Sequence, residues 1–211
     1  MMGPVAFYRD RVFLPVMNRA LDNDETRRIR AEVCTPLAGE IVEIGWGTGL
    51  NLPHLPAAVT RVWAIDPIER GRRLAAERLA ATRIPIEFVG LDGQRLPLDD
   101  ESVDAALSTW TLCSIPDPVA AVREIHRVLR PDGALHFVEH GRAPVEDERV
   151  RRWQDRLNPL QRRIGCGCSL TSDIPSILEQ GGLQIDELTR YYAKGEPKTH
   201  GALYQGVASR P

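Results

Sequence analysis

The chain has no run of about 18 apolar residues that could cross a bilayer, and its N-terminus lacks the apolar core of a secretory leader. The expectation is a cytoplasmic protein with no integral membrane segment. It lacks zinc-type cysteine spacing. Cys34 and Cys113 stand alone, Cys166-Gly167-Cys168 is one residue short of C-x₂-C, and no histidine follows it closely. No metal is expected, and Cys166 and Cys168 read as buried small residues. There is no excess of charge of one sign: 27 Lys and Arg face 29 Asp and Glu, a formal net charge of -2. That excludes a global field drawing the chain to nucleic acid or anionic lipid. The local basic clusters (Arg27, Arg28 and Arg30; Arg149, Arg151, Arg152 and Arg156; Arg162 and Arg163) lie among helix formers and acids, and read as solvated helix faces. No repeat, low-complexity stretch or linker divides the 211 residues, which read as one domain.

What is present is an alternation of periods. Residues 7–20 and Asp24–Cys34 carry helical patterns, the second opened by Asn23 and Asp24, and form an N-terminal helical segment over 1–36. From 37 to 211, short apolar runs at Glu40–Ile44, Arg61–Ile65, Ile86–Gly90, Val103–Ser108 and Ala134–Val138 read as strands. Helical patterns at Glu69–Ala81 and around Val119–Leu129 separate them, and Arg130-Pro131-Asp132-Gly133 reads as a turn ending the second. Such alternation implies a parallel sheet with right-handed crossovers. The tail differs. After helices at Glu148–Leu160 and Ser172–Gln180 come two strands, Leu183–Tyr191 and Ala202–Ala208, with no helix between them. They should pair antiparallel. The expected fold is α/β: a Rossmann-like, seven-stranded, mostly parallel sheet with one antiparallel strand, helices on both faces and an N-terminal helical lid.

Glu43-Ile44-Gly45-Trp46-Gly47-Thr48-Gly49 ends the first strand, and Asp66 ends the second about twenty residues later. Glycine lets a ligand approach the backbone and tolerates positive φ. An acid after the second strand can accept hydrogen bonds from a ribose diol. The pair points to a nucleoside-containing cofactor. The dinucleotide fingerprint needs a third glycine where Leu50 stands, and no Tyr-x-x-x-Lys pair is present, since Tyr192 and Lys194 have the wrong interval. A nicotinamide oxidoreductase is thereby disfavoured. The fourth-strand motif is not the Asn-Pro-Pro-Tyr or Asp-Pro-Pro-Tyr type used on extruded bases, so nucleic acid is not the expected partner. Leu91, Asp92 and Gly93 follow the third strand and Ser108–Leu112 the fourth, so these signals line up at the carboxyl ends of successive strands.

The E-x-G-x-G-x-G string resembles motif I of the class I methyltransferases that use S-adenosylmethionine. The likeness continues through Gly49-Leu50-Asn51-Leu52-Pro53-His54, Leu112-Cys113-Ser114-Ile115-Pro116-Asp117-Pro118, Glu124–Gly133 with Phe137-Val138-Glu139-His140, and Gly167–Thr171. These strings resemble bacterial relatives of the methyltransferase-like seven, or thiol methyltransferase, group. Parts are shared with quinone and phospholipid-amine methyltransferases. The resemblance implies S-adenosylmethionine as cofactor, S-adenosylhomocysteine as product and a small, lipophilic acceptor. It implies that Glu43, Gly45, Gly47 and Gly49 curve around the amino-acid end, Asp66 holds the ribose, and Leu91, Asp92 and Gly93 meet the adenine. It also implies that backbone carbonyls near Thr109 meet the amino group. Three positions depart from the pattern. Trp46 stands between the first two glycines, Ser169 replaces a histidine, and Gly93-Gln94 replaces Ala-Glu. Trp46 must pack outward, against the sheet edge or the N-terminal helix, or else narrow the site. If it closes the site, the chain is a non-catalytic cofactor-binding module.

A thiol or phenol acceptor needs a base or a lowered pKa to become an anion. His140, just beyond the fifth strand beside Glu139, is the candidate base, with a structural histidine as the alternative. Tyr8, Trp110 and Trp153 are the candidate acceptor contacts. Trp110 follows the fourth strand, and Phe7 and Tyr8 lie on a segment that either folds over the cleft or packs as core. The oligomeric state is not legible.

Overall fold

The computed structural model describes residues 4–211 other than 69 and 91. An N-terminal helical segment comes first: α1 (Pro4–Tyr8) passes through a π-helical turn (Arg9–Phe13) into α2 (Leu14–Ala20). Next comes α3 (Asp24–Cys34), where Asn23 and Thr26 form a reciprocal capping box. The sheet contains β1 (Gly39–Ile44), β2 (Val59–Ile65), β3 (Ile86–Gly90), β4 (Val103–Thr109), β5 (Leu129–His140), β6 (Gln184–Tyr192) and β7 (Ala202–Ser209). Its order is β3-β2-β1-β4-β5-β7-β6. The first five strands pair parallel, and β7 runs antiparallel to both β5 and β6. This is the expected seven-stranded sheet with one reversed strand.

Strand periodicity splits the core. In β1, β4 and β5, Val42, Ala106 and Phe137 face one side, with Val122 and Ile125 of α6 (Pro118–Val128) and Leu178 of α8 (Ile174–Gln180). Their neighbours Ile41, Ala105 and Val138 face the other, with Ile29 and Val33 of α3. Both faces are thus covered, as a parallel sheet requires. The order reverses direction at β1 and β4, and the ligand crevice of such folds lies beyond the strand carboxyl ends at that point.

Three expectations change in detail. The helix expected over Glu69–Ala81 appears as α4 (Arg70–Leu74) and α5 (Ala76–Ala81), with buried Ala75 at the break. The turn expected at 130–133 is absorbed into β5 as a bulge. Leu129 pairs with Val103 and Ala134 with Ala105, so Arg130–Gly133 oppose Asp104 alone, and Asp132 takes φ +67°. The helix α7 (Glu148–Ile164) runs past its expected end at Leu160. Among the described residues no helix is long and apolar enough to cross a membrane.

Candidate active site

The glycine loop leaves β1 with Gly45, Gly47 and Gly49 all at positive φ, +72°, +58° and +70°. Their reasons differ. A Cβ on Gly45 would lie 2.1 Å from Thr111 Oγ1, so that glycine lets the turn after β4 close in. A Cβ on Gly47 would meet nothing nearer than 3.8 Å, which leaves open space beside the backbone. Trp46 is 2% exposed and meets Phe88 edge-on at 4.8 Å between ring centroids, in a cluster with Leu52, Ala64 and Ala75. It therefore packs against the sheet edge, where β3 lies, as one of the two expected placements.

Asp66 is buried and holds the loop. Its Oδ2 accepts from Gly47 N–H at 2.7 Å and its Oδ1 from Ile68 N–H at 2.6 Å. Burial raises its pKa above the usual carboxylate value, and those two backbone bonds oppose the rise. Each oxygen keeps a second lone pair for a ribose hydroxyl.

Glu43 is part of a buried network that sequence reasoning missed. Its Oε1 accepts from Asn51 Nδ2 at 2.8 Å. Asn51 Nδ2 also reaches Thr109 Oγ1 at 3.0 Å, and Arg30 Nη1 donates to Asn51 Oδ1 at 2.6 Å and to Thr109 Oγ1 at 2.8 Å. Arg30 is 5% exposed, so the solvated-face reading of its cluster is corrected at this residue; Arg27 and Arg28 do make surface ion pairs. Its guanidinium also lies 4.7 Å from the Trp110 ring centroid. Glu43 Oε2 is buried with no partner among the described residues. A buried carboxylate oxygen left open asks for a donor. The cationic ammonium at the amino-acid end of S-adenosylmethionine is such a donor, and with the space at Gly47 and the free lone pairs of Asp66, the residues fit that cofactor.

Burial pushes Glu43 from 4.5 up to about 7. A folded-state pKa above the unfolded one means that the fold favours the protonated acid. The contribution is full below about 4.5 and is lost as pH rises through about 7. Thermal midpoints of the ligand-free protein across this window should therefore fall less steeply with pH in Glu43→Gln than in the parent. Parallel slopes would show that Glu43 ionises in the fold as freely as in the unfolded chain.

At the ends of β4 and β5, Trp110 takes φ +52°, uncommon for a bulky residue. Glu139 is fully buried and fixes the turn after β4, accepting from Ser108 Oγ at 2.6 Å, Thr111 N–H at 3.0 Å and Cys113 N–H at 3.4 Å. His140 is buried, and its Nδ1 lies 3.5 Å from Cys168 Sγ, which lies 3.6 Å from Cys113 Sγ. The bond from Cys113 lowers the Cys168 thiol and raises that of Cys113, with burial adding to the rise. Nothing near either cysteine in sequence signals this cluster, because its members lie 28 and 55 residues from Cys168.

Asp92 is exposed and turns back on Gln94, accepting its N–H at 2.9 Å, while Gln94 Oε1 accepts from Asp117 N–H at 3.0 Å. The unusual glutamine thus ties this loop to the start of α6. A Cβ on Gly93 would approach Ile44 to 2.9 Å, which places Gly93 against the end of β1. Leu91 lies outside the described residues. Tyr8 donates its hydroxyl to Ile164 carbonyl at 2.9 Å, tying the N-terminal segment to the end of α7. Trp153 does not join the strand-end residues. It is 46% exposed on α7, in a surface recess of about 280 Å³ shared with Arg149, Arg152 and Arg156. The neighbour Gln154 takes the buried side of that helix and bonds Ala143 N–H and Gly141 carbonyl.

The fold and the glycine–acid loop define a nucleoside-cofactor enzyme of the doubly wound class. Comparison with known proteins narrows this. The family model "Methyltransferase domain" matches residues 42–137. Human thiol S-methyltransferase TMT1B is 32% identical over 190 residues, covering 87% of this chain and 77% of that protein. Demethylmenaquinone methyltransferase of Clavibacter sepedonicus is 34% identical over 151 residues, 71% of this chain and 59% of that one. The structure of N-methyltransferase NodS from Bradyrhizobium japonicum WM9 in complex with S-adenosylhomocysteine superposes with a TM-score of 0.67 at 19% identity, over 94% of this chain and 98% of that one. The chain belongs to the class I S-adenosylmethionine-dependent methyltransferases. It is an enzyme of that family, with S-adenosylmethionine as its cofactor.

Proposed function

We propose that this enzyme methylates a small, lipophilic acceptor, with a thiol as the first candidate and a phenol or quinol, then an amine, behind it. The observation that carries the reading is His140, buried at the end of β5 with two cysteine sulfurs beside it. The names of the relatives, a thiol and a demethylmenaquinone methyltransferase, support the first two of these acceptor classes. The cofactor supplies a methyl group on a sulfonium, and its displacement needs an acceptor that is aligned and ionised. Alignment of well-oriented groups is worth roughly 7–11 kcal/mol. Ionisation, in this reading, depends on His140. Trp110 covers the strand end, and Tyr8 holds the N-terminal segment where it can exclude water. The acceptor is not nucleic acid, and the enzyme acts in the cytoplasm.

The test is formation of S-adenosylhomocysteine against a panel of alkyl and aryl thiols, phenols, quinols and amines. Thiols should give the highest kcat/KM. A panel in which amines alone are methylated would overturn the reading.

The cofactor side has its own test. Charge-assisted bonds are worth about 1.5–3 kcal/mol each. Asp66→Ala should weaken S-adenosylhomocysteine at least about tenfold, measured by titration calorimetry. Loss of the bond to Gly47 also loosens the loop. An unchanged dissociation constant would remove Asp66 from the cofactor site.

A further inference from the structure

We propose that Cys113, His140 and Cys168 form a binding site for one soft divalent cation of the zinc class. The three come from separate parts of the chain. Cys113 is in the 3₁₀ turn after β4, His140 is the last residue of β5, and Cys168 lies in the loop between α7 and α8. The two sulfurs are 3.6 Å apart, Cys168 Sγ and His140 Nδ1 are 3.5 Å apart, and all three donor atoms lie within 4.8 Å of one another. Tetrahedral zinc, with bonds of about 2.3 Å to sulfur and about 2.0–2.1 Å to nitrogen, sets its sulfurs about 3.8 Å apart and a sulfur and nitrogen about 3.6 Å apart. Two edges of the triangle therefore already match, and a short movement of Cys113 or His140 closes the third.

The triangle is held from behind. Cys113 N–H is given to Glu139, and Ser169 N–H donates to Cys113 carbonyl at 2.9 Å, pinning the Cys168 loop to the 3₁₀ turn. Gly167, at φ +104°, lets that loop approach, because a Cβ there would lie 2.8 Å from Ser114 carbonyl oxygen. Leu170 N–H is anchored on Asn158 Oδ1 at 2.8 Å. His140 Nε2 is buried with no partner among the described residues, so the ring's hydrogen-bonding atoms are not committed to a structural bond with the backbone. The His200 ring stacks beside it, 6.4 Å away and tilted by 15°. Sites preorganised in this way on strand ends and pinned loops have the rigidity that metal geometry demands.

Binding would hold both cysteines as thiolates, with any proton still on either sulfur leaving to solvent. Three protein ligands leave a fourth position, which in such sites takes water or substrate. Resting on the methyl-transfer reading above, a thiol acceptor entering that position would lose its S–H proton to solvent. Its sulfur lone pair then forms the new S–C bond as the C–S bond to the sulfonium breaks. The dependence on His140 would then run through the cation rather than through proton transfer to the ring.

The test uses the reduced full-length protein, freed of metal by chelator and titrated with Zn²⁺ against a chromophoric chelator and with Co²⁺ by absorption. The expected result is one ion per chain and a thiolate-to-cobalt charge-transfer band. Cys168→Ser and His140→Asn should each weaken Zn²⁺ at least about hundredfold, while Cys166→Ser leaves it unchanged. S-adenosylhomocysteine binding checks the fold of each variant. Absence of the band in the parent protein overturns the site whatever the variants do. A band that survives Cys168→Ser, or disappears in Cys166→Ser, overturns this ligand set. Thiol turnover then separates the two readings. A drop of at least about tenfold on stripping, restored by Zn²⁺, supports ionisation at the cation. Equal turnover with and without Zn²⁺ overturns that link and leaves the methyl-transfer reading intact. No turnover of any thiol in either state overturns the acceptor reading and leaves the site to stand on its spectrum.

Discussion

Trp46→Ala will lower the unfolding free energy by about 3–5 kcal/mol and will not create or improve cofactor binding. The indole is 2% exposed, meets Phe88 edge-on and shares its cluster with Leu52, Ala64 and Ala75. Deleting it removes the largest side chain of that cluster and leaves a cavity between the glycine loop and the β3 edge. A Cβ on Gly49 would come within 2.8 Å of the indole, so the loop itself is moulded on the ring. Trp46→Phe should cost much less, because the ring is partly retained and the indole N–H, buried without a partner among the described residues, disappears. Urea midpoints at constant m-value measure the losses, and calorimetry with S-adenosylhomocysteine measures the binding. If Trp46→Ala instead binds the cofactor more tightly than the parent, the indole occupies the cleft, and the non-catalytic reading gains what the methyltransferase reading loses.

What was legible in the sequence follows the range of the interactions. The period of 2 in β1, β4 and β5 and the helical period of α6 are local, and they determine which side of each strand is apolar. The absence of a helix between Leu183 and Ala208 is local too, and it gives the reversed strand. The glycine string and Asp66 carry their own chemistry at fixed spacing. The largest misses are matters of long-range partnership. Arg30 sits in a helix among acids and arginines, and nothing near it signals Asn51 and Thr109, which lie 21 and 79 residues away. Trp153 is an aromatic on the α7 pattern and reads as an acceptor candidate for that reason, but the amphipathic turn of α7 puts Gln154 inside and the tryptophan among arginines outside. Pro131 and Gly133 do make a turn-like excursion, yet the ladder resumes on both sides of it, so β5 continues through. The thiol–imidazole cluster is invisible for the same reason as the Arg30 network. Its spacing in sequence is not a chelating motif, and only the sheet brings the ends of β4 and β5 together.

His140→Ala will lower turnover on a thiol or phenol by about 10²–10⁴, with S-adenosylhomocysteine affinity close to that of the parent. The two readouts separate because the elements are separate. The residues that fit the cofactor leave β1 and β2, while His140 ends β5, where the acceptor must be ionised and held in line. The size follows from what is lost. A positioned proton acceptor is typically worth that factor, and a metal-held acceptor would lose one of three ligands and its ionisation with it. Glu139 next to it cannot substitute, since it is fully buried and turned onto Ser108, Thr111 and Cys113 to hold the turn after β4. An amine acceptor that is already neutral at high pH needs no ionisation and should be affected least, so the ratio of thiol to amine turnover is the sharper measure. Full thiol activity in His140→Ala would make the histidine structural and require the acceptor to ionise unaided. A fall in S-adenosylhomocysteine affinity as large as the fall in turnover would move His140 to the cofactor side of the crevice.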